Sequence, residues 1–501
     1  MKGIVNSALG GAGRISRREF VRGAASAAAI TILPRHVLGG RGRVAPNDKL
    51  HAACVGVGAQ GTRVMMEFLK EPDLQIVAVC DVNRESSDYS EWGEHEIRDK
   101  VRRLLGPRGA DWGSDWKGCT AGREPAKRIV EAYYAGKAAS GEYRGCAAYG
   151  DFRELLEKEK DLDAVIVGTP DHWHALVSIA AMKKGKHVYC QKPMTHSITE
   201  ARRMAEVARE TRVATQVAVG NQASEATRLL CEWIGAGAIG PVREVHNWSS
   251  RPFWPQGLER PKEEEPVPPG LDWDLWLGPA PARPFNHVYL PFVWRGWFDF
   301  GTGCIGDMGC YSFDTIYRAL KLGAPASVEA SSTPVFKETF PLASIIHFNF
   351  PARGDMPPVK LTWYDGGLRP PRPDELEEGR EMGEENEGLL FVGDRGTIMC
   401  GFAGENPRLI PESKMRAFHP PPKTLPRSAG NNREWIEACK GGKPGGANFE
   451  FESLVTETIL LGNVALRAGG KLQWDEPSLK VTNAPTAQRY VNFEYRPGWN
   501  V

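Results

Sequence analysis

The chain has 501 residues with 63 Lys and Arg against 62 Asp and Glu, which gives a formal net charge of +1 at pH 7. The chain has no excess of positive charge that would attract nucleic acid or an anionic membrane surface, so neither is expected as a partner. A content of 41% hydrophobic and 25% charged residues is typical of a soluble globular protein, and the length suggests two or three domains. The ten cysteines contain no CxxC pair, which argues against a zinc ribbon or a dense disulfide framework.

Residues 1–45 are predicted to be a twin-arginine export signal and linker. Arg17 and Arg18 precede an apolar run of about ten residues, which is too short to span the ~30 Å hydrocarbon core of a membrane as a helix. The alternative is an ordinary amphipathic terminus with a chance pair of arginines. The signal predicts a periplasmic or otherwise exported protein that folds around its cofactor before export.

The next segment has the pattern of a dinucleotide-binding turn. An apolar strand at 50–55 leads into Gly56-Val57-Gly58-Ala59-Gln60-Gly61, and a helical pattern follows. In such a turn the glycines allow a sharp bend, close approach of a pyrophosphate and packing of helix on strand, while the helix N-terminus attracts the anion. A glycine-rich turn in an unrelated α/β fold is the alternative.

Asp81 supports the dinucleotide interpretation. It ends a second apolar strand twenty residues beyond Gly61, where a carboxylate can accept hydrogen bonds from a ribose. Asp81 would repel a 2′-phosphate and so favours NAD, whereas Arg84 could pair with that phosphate, which keeps NADP open.

Strands and helices then alternate to about residue 220, which predicts a Rossmann domain with a parallel sheet over residues 46–220. Residues 84–122 interrupt the alternation and are predicted to be an insertion outside the sheet. The ligand crevice of such a sheet lies beyond the carboxyl ends of its strands. Thr169, Pro170, Gln191 and Lys192 are expected at that edge.

The chain resembles the glucose-fructose oxidoreductase, inositol dehydrogenase and rhizopine-catabolism (Gfo/Idh/MocA) family. The resemblance spans roughly residues 50–320 and rests on the following motifs: Gly56–Gly61, Thr169-Pro170 with His174, Gly185–Val188 running into Gln191-Lys192-Pro193, and Gly306–Tyr311. It implies an α/β protein in which the Rossmann domain is followed, over residues 221–501, by an α/β domain with a mostly antiparallel open sheet. It also implies a homo-oligomer, sugar or polyol substrates, and a cis bond before Pro193.

The resemblance further implies that Lys192 and Tyr311 share the proton transfer, with Asp307 holding a substrate hydroxyl or orienting Lys192. Burial and a positive nicotinamide ring are expected to lower the pKa of Lys192. Relatives have glutamate before this lysine, whereas this chain has Gln191. A solvated lysine, and a helix-start aspartate beside a packed tyrosine, are the plain structural alternatives.

Three further features are predicted around the crevice. His172 and His174 form an H-x-H, for which a contact of His174 to cofactor or substrate is favoured over a metal, since no third ligand is within reach. Asn221 and Gln222 are expected to donate to sugar hydroxyls. The tryptophans of residues 251–300 could stack on a sugar, although core or oligomer packing is favoured.

The sequence therefore predicts an exported NAD(P)-dependent oxidoreductase of a sugar or polyol hydroxyl, with the cofactor held tightly and recycled by a second substrate. An NAD-dependent glycoside hydrolase that oxidises transiently and eliminates the aglycone would use the same residues. A sugar-binding protein without activity is a third possibility, which the presence of both Lys192 and the glycine turn disfavours.

Overall fold

The computed structural model describes residues 48–500, so the predicted export signal lies outside the described residues. Within the described part of the chain, no helix has the length and apolar character needed to cross a membrane. All ten cysteines are free thiols, and eight of them are buried.

The amino-terminal half is built on a six-stranded parallel sheet, as predicted. Its strands and those of the insertion are β1 (Leu50–Val55), β2 (Leu74–Cys80), β3 (Ser86–Tyr89), β4 (Cys119–Ala121), β5 (Ala147–Tyr149), β6 (Ala164–Val167), β7 (His187–Cys190) and β8 (Thr215–Val217). The sheet order is β5-β2-β1-β6-β7-β8, and every neighbouring pair is parallel. The strands β1 and β6 are almost wholly buried, because helices cover both faces of the sheet.

The helices of this half are α1 (Ala59–Leu69), α2 (Glu96–Leu105), α3 (Arg123–Ala135), α4 (Phe152–Lys158), α5 (Asp171–Lys183) and α6 (Ile198–Thr211). A capping box of Ser197 and Glu200 starts α6, as the sequence predicts. The segment 84–122 stands outside the parallel sheet: β3 and β4 pair with each other, and α2 buries Ile97 and Val101. An ion pair between Arg63 and Glu96 ties α2 to α1.

The carboxyl-terminal half contains a nine-stranded sheet. Its strands are β9 (Val242–Trp248), β10 (Ser327–Ser332), β11 (Ser344–Phe350), β12 (Val359–Tyr364), β13 (Gly388–Gly393), β14 (Gly396–Cys400), β15 (Arg408–Ile410), β16 (Gly470–Asp475) and β17 (Lys480–Val481). The order is β15-β14-β13-β9-β12-β11-β10-β16-β17, and all pairs except β9–β12 are antiparallel. This confirms the mostly antiparallel second sheet.

The helices of this half are α7 (Glu225–Gly235), α8 (Trp273–Leu277), α9 (Gly303–Leu320), α10 (Glu412–Ala417), α11 (Asn431–Cys439) and α12 (Phe449–Ala468). Burial alternates along β11, and its inward residues form one core with α9 and α12, where Phe313 meets Phe348 at a ring separation of 5.5 Å. Helix α11 packs against the first half of the chain. The ring centre of its Trp435 lies 5.4 Å from that of Phe68 in α1 and 5.4 Å from that of Tyr189 in β7. Residues beyond 220 therefore form the second sheet and also pack against the first.

Candidate active site

The turn between β1 and α1 needs two of its glycines for backbone reasons. Gly56 has a φ of +83°, and a Cβ on it would lie 2.5 Å from the backbone nitrogen of Thr169. A Cβ on Gly61 would collide with the carbonyl oxygen of Gly56. The turn is therefore packed directly against the end of β6, and the first backbone N–H groups of α1 have no acceptor within the helix. Such a helix start favours an anion.

The middle glycine of the turn faces the insertion. A Cβ on Gly58 would lie 2.7 Å from Cε1 of Tyr89, which ends β3. The buried Tyr89 phenol, whose pKa is raised by burial, forms part of the wall above the turn. The insertion thus contributes directly to the surface that the sequence assigns to the cofactor.

A cavity of about 360 Å³ opens above this turn and extends to α9. The predicted site residues that line it are Gly56, Gly58, Ala59, Gln60, Gly61, Asp81, Thr169, Pro170, Gln191, Lys192, Asp307 and Tyr311. The parallel strands end here, so the residues following β1, β2, β6 and β7 meet, as expected for a Rossmann sheet. The peptide bond between Lys192 and Pro193 is cis, which confirms the prediction from the family resemblance.

Four predicted site residues do not line this cavity. Arg84 is exposed, and its backbone nitrogen donates to Gly270. The Asn221 amide donates to the carbonyl of Tyr311 and to Thr315, at 2.7 and 2.9 Å, so it holds α9. The buried Gln222 amide donates to α11, to Asn431 and Glu434, because the chain folds back over β8. The fourth is His174.

His174 connects the two loops that carry the site. Its ring nitrogens lie 2.7 Å from the carbonyl oxygen of Pro193 and 2.9 Å from that of Thr169. His172 is likewise buried between two carbonyl oxygens, those of Phe300 and Trp276, and burial lowers its pKa to about 3. Each ring thus lies between two backbone carbonyl oxygens, and the neutral ring of His172 donates to one of its two. Within residues 48–500 no group of three or more His, Cys, Asp or Glu side chains is arranged to hold a metal ion.

Asp81 binds the glycine turn itself. One carboxylate oxygen accepts from the backbone of Val57 at 2.7 Å and the other from Asn83 at 2.8 Å. Burial raises the pKa of Asp81 to about 6, although these two N–H donors oppose the rise. The carboxylate therefore fixes the glycine turn at Val57 and still lines the cavity beside it.

The chemical centre of the cavity is an ion pair between β7 and α9. The Lys192 ammonium donates to the Asp307 carbonyl at 2.8 Å and to its carboxylate at 3.0 Å, and lies 5.0 Å from the centre of the Tyr311 ring. Helix α9 begins at Gly303, so Asp307 lies in its second turn and is not a helix-start aspartate. Asp307 and Tyr311, four residues apart, face the cavity together.

The predicted fall in the pKa of Lys192 is wrong for this arrangement. Burial does act to lower the pKa, but the adjacent Asp307 carboxylate outweighs it, and the pKa of Lys192 is raised. Burial also raises the pKa of Tyr311, with Lys192 opposing that rise. Both groups therefore hold their protons at neutral pH.

Arg295 completes the centre and was not predicted. It belongs to a 3₁₀ turn at Val293–Gly296, and its Nε donates to Asp307 at 2.9 Å. Burial raises the pKa of Asp307, but Lys192 and Arg295 together lower it to about 2. Asp307 is thus a permanent carboxylate shared by two cations. No motif or periodicity of the sequence connects Arg295 with α9.

Asp171 is a second residue that the sequence analysis missed. It opens α5, lines the cavity and accepts a hydrogen bond from Thr302 at 2.7 Å. Burial raises its pKa to about 7, against the lowering effects of Arg295 and Thr302. Asp171, whose pKa is raised toward neutrality, therefore lines the same cavity as Asp307, whose pKa is lowered.

The tryptophan-rich segment is divided between core and cavity. Trp273 and Trp297 pack in the core cluster around Tyr289. Trp254, Trp276 and Trp294 also line the cavity. The favoured prediction of core packing is confirmed, since Trp254, Trp276 and Trp294 are buried in hydrophobic clusters as well, while stacking on a sugar stays a prediction for these three.

Asp307→Asn is expected to lower the pKa of Lys192 by at least about 2 units, because burial then acts on the amine without the carboxylate that opposes it. Competitive labelling with acetic anhydride between pH 6 and 11, read by mass spectrometry, measures this pKa. The exposed Lys184 serves as an internal reference in the same sample. An unchanged pKa of Lys192 in the variant would show that Asp307 does not control it.

Two family models match the chain. An oxidoreductase-family model described as an NAD-binding Rossmann fold matches residues 121–219, and the family's C-terminal alpha/beta domain matches residues 242–341. Both models belong to the Gfo/Idh/MocA family of oxidoreductases, and they match this chain in the order of a Rossmann domain followed by a C-terminal domain. The first match begins at residue 121, so the glycine turn lies outside it and is identified by its structure.

Proteins similar in sequence to this chain include enzymes named for sugars. A levoglucosan dehydrogenase of Pseudarthrobacter phenanthrenivorans is 30% identical over 110 residues, which is 21% of this chain and 28% of the relative. A glycosyl hydrolase family 109 protein of Stenotrophomonas maltophilia is 28% identical over 177 residues, 35% of this chain and 29% of the relative. The chain spans between 28% and 39% of the length of the curated relatives that it matches first.

Solved structures share the fold. The WlbA dehydrogenase from Bordetella pertussis, in complex with NADH and UDP-GlcNAcA, has a TM-score of 0.52 and 15% sequence identity, over 85% of this chain and 99% of that one. At this identity the likeness concerns the architecture alone.

The residues around the cavity fit the NAD implied by the family. The hydroxyl of Thr169 lies buried on the cavity wall with no hydrogen-bond partner among the described residues, so an acceptor or donor from a ligand would satisfy it. The glycine turn and the N-terminus of α1 offer N–H groups to a pyrophosphate, and Asp81 offers a carboxylate beside them. The exposed Arg84 lies off the cavity and gives no support for a 2′-phosphate.

Proposed function

We propose that the protein is a nicotinamide-dependent oxidoreductase acting on a hydroxyl or carbonyl group of a sugar or polyol. The observation that carries the proposal is that a protonated Lys192, held by Asp307 beside Tyr311, lines the same cavity as the glycine turn. The named activity of the levoglucosan dehydrogenase supports a sugar as the class of substrate.

The turn residues, Asp81 and Thr169 would hold the cofactor, which, when bound, accepts or donates a hydride. Lys192 keeps a proton at Nζ because Asp307 raises its pKa, so its ammonium suits hydrogen bonding to a substrate oxygen that gains negative charge. Tyr311 holds a second proton beside it, because burial raises the pKa of the phenol while Lys192 opposes that rise. These two groups would exchange the proton of the substrate hydroxyl, while Asp307 fixes the position of the amine.

The proposal includes export and cofactor retention. The paired arginines and the short apolar run support the twin-arginine route to the periplasm, where NAD is not replenished readily. We therefore propose a cofactor that stays bound and is recycled by a second substrate, in a protein that assembles as a homo-oligomer.

Net glycoside hydrolysis through transient oxidation is the second candidate. The observation that favours it is the likeness to the glycosyl hydrolase family 109 protein. Release of nitrophenol from a nitrophenyl glycoside without net formation of NADH would support this candidate. Net absorbance at 340 nm would support the dehydrogenase.

The protein as purified is expected to carry about one nucleotide per chain, identified as NAD by mass spectrometry after denaturation. Addition of sugars and polyols should then reduce the bound cofactor, which is measured by absorbance at 340 nm. Protein that contains no nucleotide, does not bind added NAD and is not reduced by any sugar would contradict the proposal.

A further inference from the structure

Arg295 lies in an aromatic box on the cavity wall. Its guanidinium carbon is 4.3 Å from the centre of the Trp294 ring, 4.5 Å from that of Phe292 and 6.0 Å from that of Trp254. Its side chain is 15% exposed. Stacking of this kind restricts a guanidinium to one orientation, so its remaining donors point in a fixed direction.

Some of these donors are unused. The Nε of Arg295 donates to Asp307 and its Nη1 donates to the carbonyl of Phe292, at 2.9 and 3.1 Å. Its Nη2 has no hydrogen-bond partner within residues 48–500. Nη2 is not among the buried polar atoms that lack a partner, so it is accessible from the cavity that Arg295 lines. A guanidinium has five N–H donors, and those of Nη2 are therefore available to an acceptor from a ligand.

A second arginine, Arg251, lines the same cavity and also has N–H groups that no described residue accepts from. Arg251 donates from Nη1 to both carboxylate oxygens of Glu387, at 2.7 and 2.6 Å, and lies 4.7 Å from the centre of the Phe253 ring. Its Nε and Nη2 have no partner in the described part of the chain. Glu387 also accepts hydrogen bonds from the hydroxyls of Ser249 and Ser250, so its carboxylate is held in place.

The charges around this end of the cavity leave an excess of cations. Lys192 and Arg295 share one carboxylate, Asp307, while Arg251 has its own partner in Glu387. Asp171, the other carboxyl group nearby, is protonated in part at neutral pH. Since buried cations are stabilised by an anion within hydrogen-bond distance, a negatively charged ligand would complete the site.

We infer that the substrate is a sugar acid, whose carboxylate is bound by the free edges of Arg295 and Arg251 while its reacting carbon faces Lys192. Two planar guanidinium forks suit a planar carboxylate, which accepts paired hydrogen bonds. The inference rests on the proposed function and adds to it the chemical class of the substrate and two residues that determine specificity.

The test compares neutral sugars with their matching acids: glucose with glucuronate, galactose with galacturonate, and xylose with xylonate. Calorimetry on the NADH-loaded protein measures binding, and absorbance at 340 nm on the NAD-loaded protein measures turnover. At least one acid is expected to bind about 10-fold tighter than its neutral partner. Arg295→Lys and Arg251→Lys keep the positive charge but lose the paired planar N–H donors of the guanidinium. They are expected to remove most of this preference.

Arg243→Lys is the matched control, because Arg243 is an exposed arginine of β9 that pairs with Asp394 and does not line the cavity. It should leave the preference unchanged. Nucleotide content after gel filtration should also be the same in all variants, and its loss in Arg295→Lys would mean that the arginine serves the cofactor instead, which overturns the inference.

Equal affinity for acids and neutral sugars, no binding of any acid, or tighter binding of glucose 6-phosphate than of glucuronate would likewise overturn it. The two proposals fail separately. Turnover of neutral sugars alone would leave the oxidoreductase standing without the carboxylate site, whereas tight binding of an acid with no reduction of the nicotinamide would leave the site standing without the reaction.

Discussion

Lys192→Met is expected to lower kcat/KM for the best sugar substrate by about 10²–10⁴-fold, which is the usual contribution of a positioned acid or base. Methionine keeps the packing of the lysine stem, and Asp307 remains paired with Arg295, so the fold should be retained. The measurement is the initial rate of change in absorbance at 340 nm over a range of sugar concentrations.

Lys184→Met, at an exposed lysine before β7, is the matched control and should keep the rate of the wild type. Nucleotide content should be equal in both variants, which separates loss of proton transfer from loss of cofactor. If Lys192→Met keeps more than about a tenth of the activity, Lys192 is not the group that manages the proton.

Gly61→Ala is expected to destabilise the protein by about 3 kcal/mol and to abolish most of its affinity for NAD. The added Cβ collides with the carbonyl oxygen of Gly56, so the turn must open and α1 must move away from β6. Urea unfolding measures the loss of stability, and calorimetric titration of nucleotide-free protein with NAD measures the loss of affinity.

Gly235→Ala, at the end of α7, provides the comparison. A Cβ at that position meets no atom within 4 Å, so its stability should stay within about 1 kcal/mol of the wild type. Normal stability and normal NAD binding in Gly61→Ala would contradict the tight turn described above.

The parallel sheet and the cofactor end of the cavity were predictable because their signals are local. The alternation of apolar strands with helices fixes the direction of the strands, and parallel strands present their carboxyl ends at one edge. Gly56, Asp81, Thr169 and Lys192 each follow such a strand, so their meeting follows from topology alone. The mostly antiparallel second sheet followed from the family resemblance.

The remaining features depend on tertiary packing that leaves no periodic signal. Asn221 and Gln222 follow the last parallel strand, but α9 and α11 pack over them and use their amides as internal hydrogen bonds. Arg295 reaches Asp307 only because the 3₁₀ turn at Val293–Gly296 stacks on the aromatic wall. Arg295 and Asp307 are close in the sequence, yet no motif indicates that they are in contact.

The direction of the shift in the pKa of Lys192 depended on a single distance. Burial alone predicts a lowered pKa, and that reasoning is sound for an isolated amine. The carboxylate of Asp307 at 3.0 Å reverses the sign. Sequence reasoning placed Asp307 near Lys192 but could not decide between contact with the substrate and contact with the amine, and the structure shows the latter.

The most direct measurement of the central claim is a crystal structure of the protein with NADH. The account predicts a pyrophosphate at the turn Gly56–Gly61 and a nicotinamide ring in the cavity next to Lys192 and Tyr311, close enough for a substrate bound between them to reach both. A nucleotide bound elsewhere, or bound with its nicotinamide ring directed away from the ion pair of Lys192 and Asp307, would contradict it.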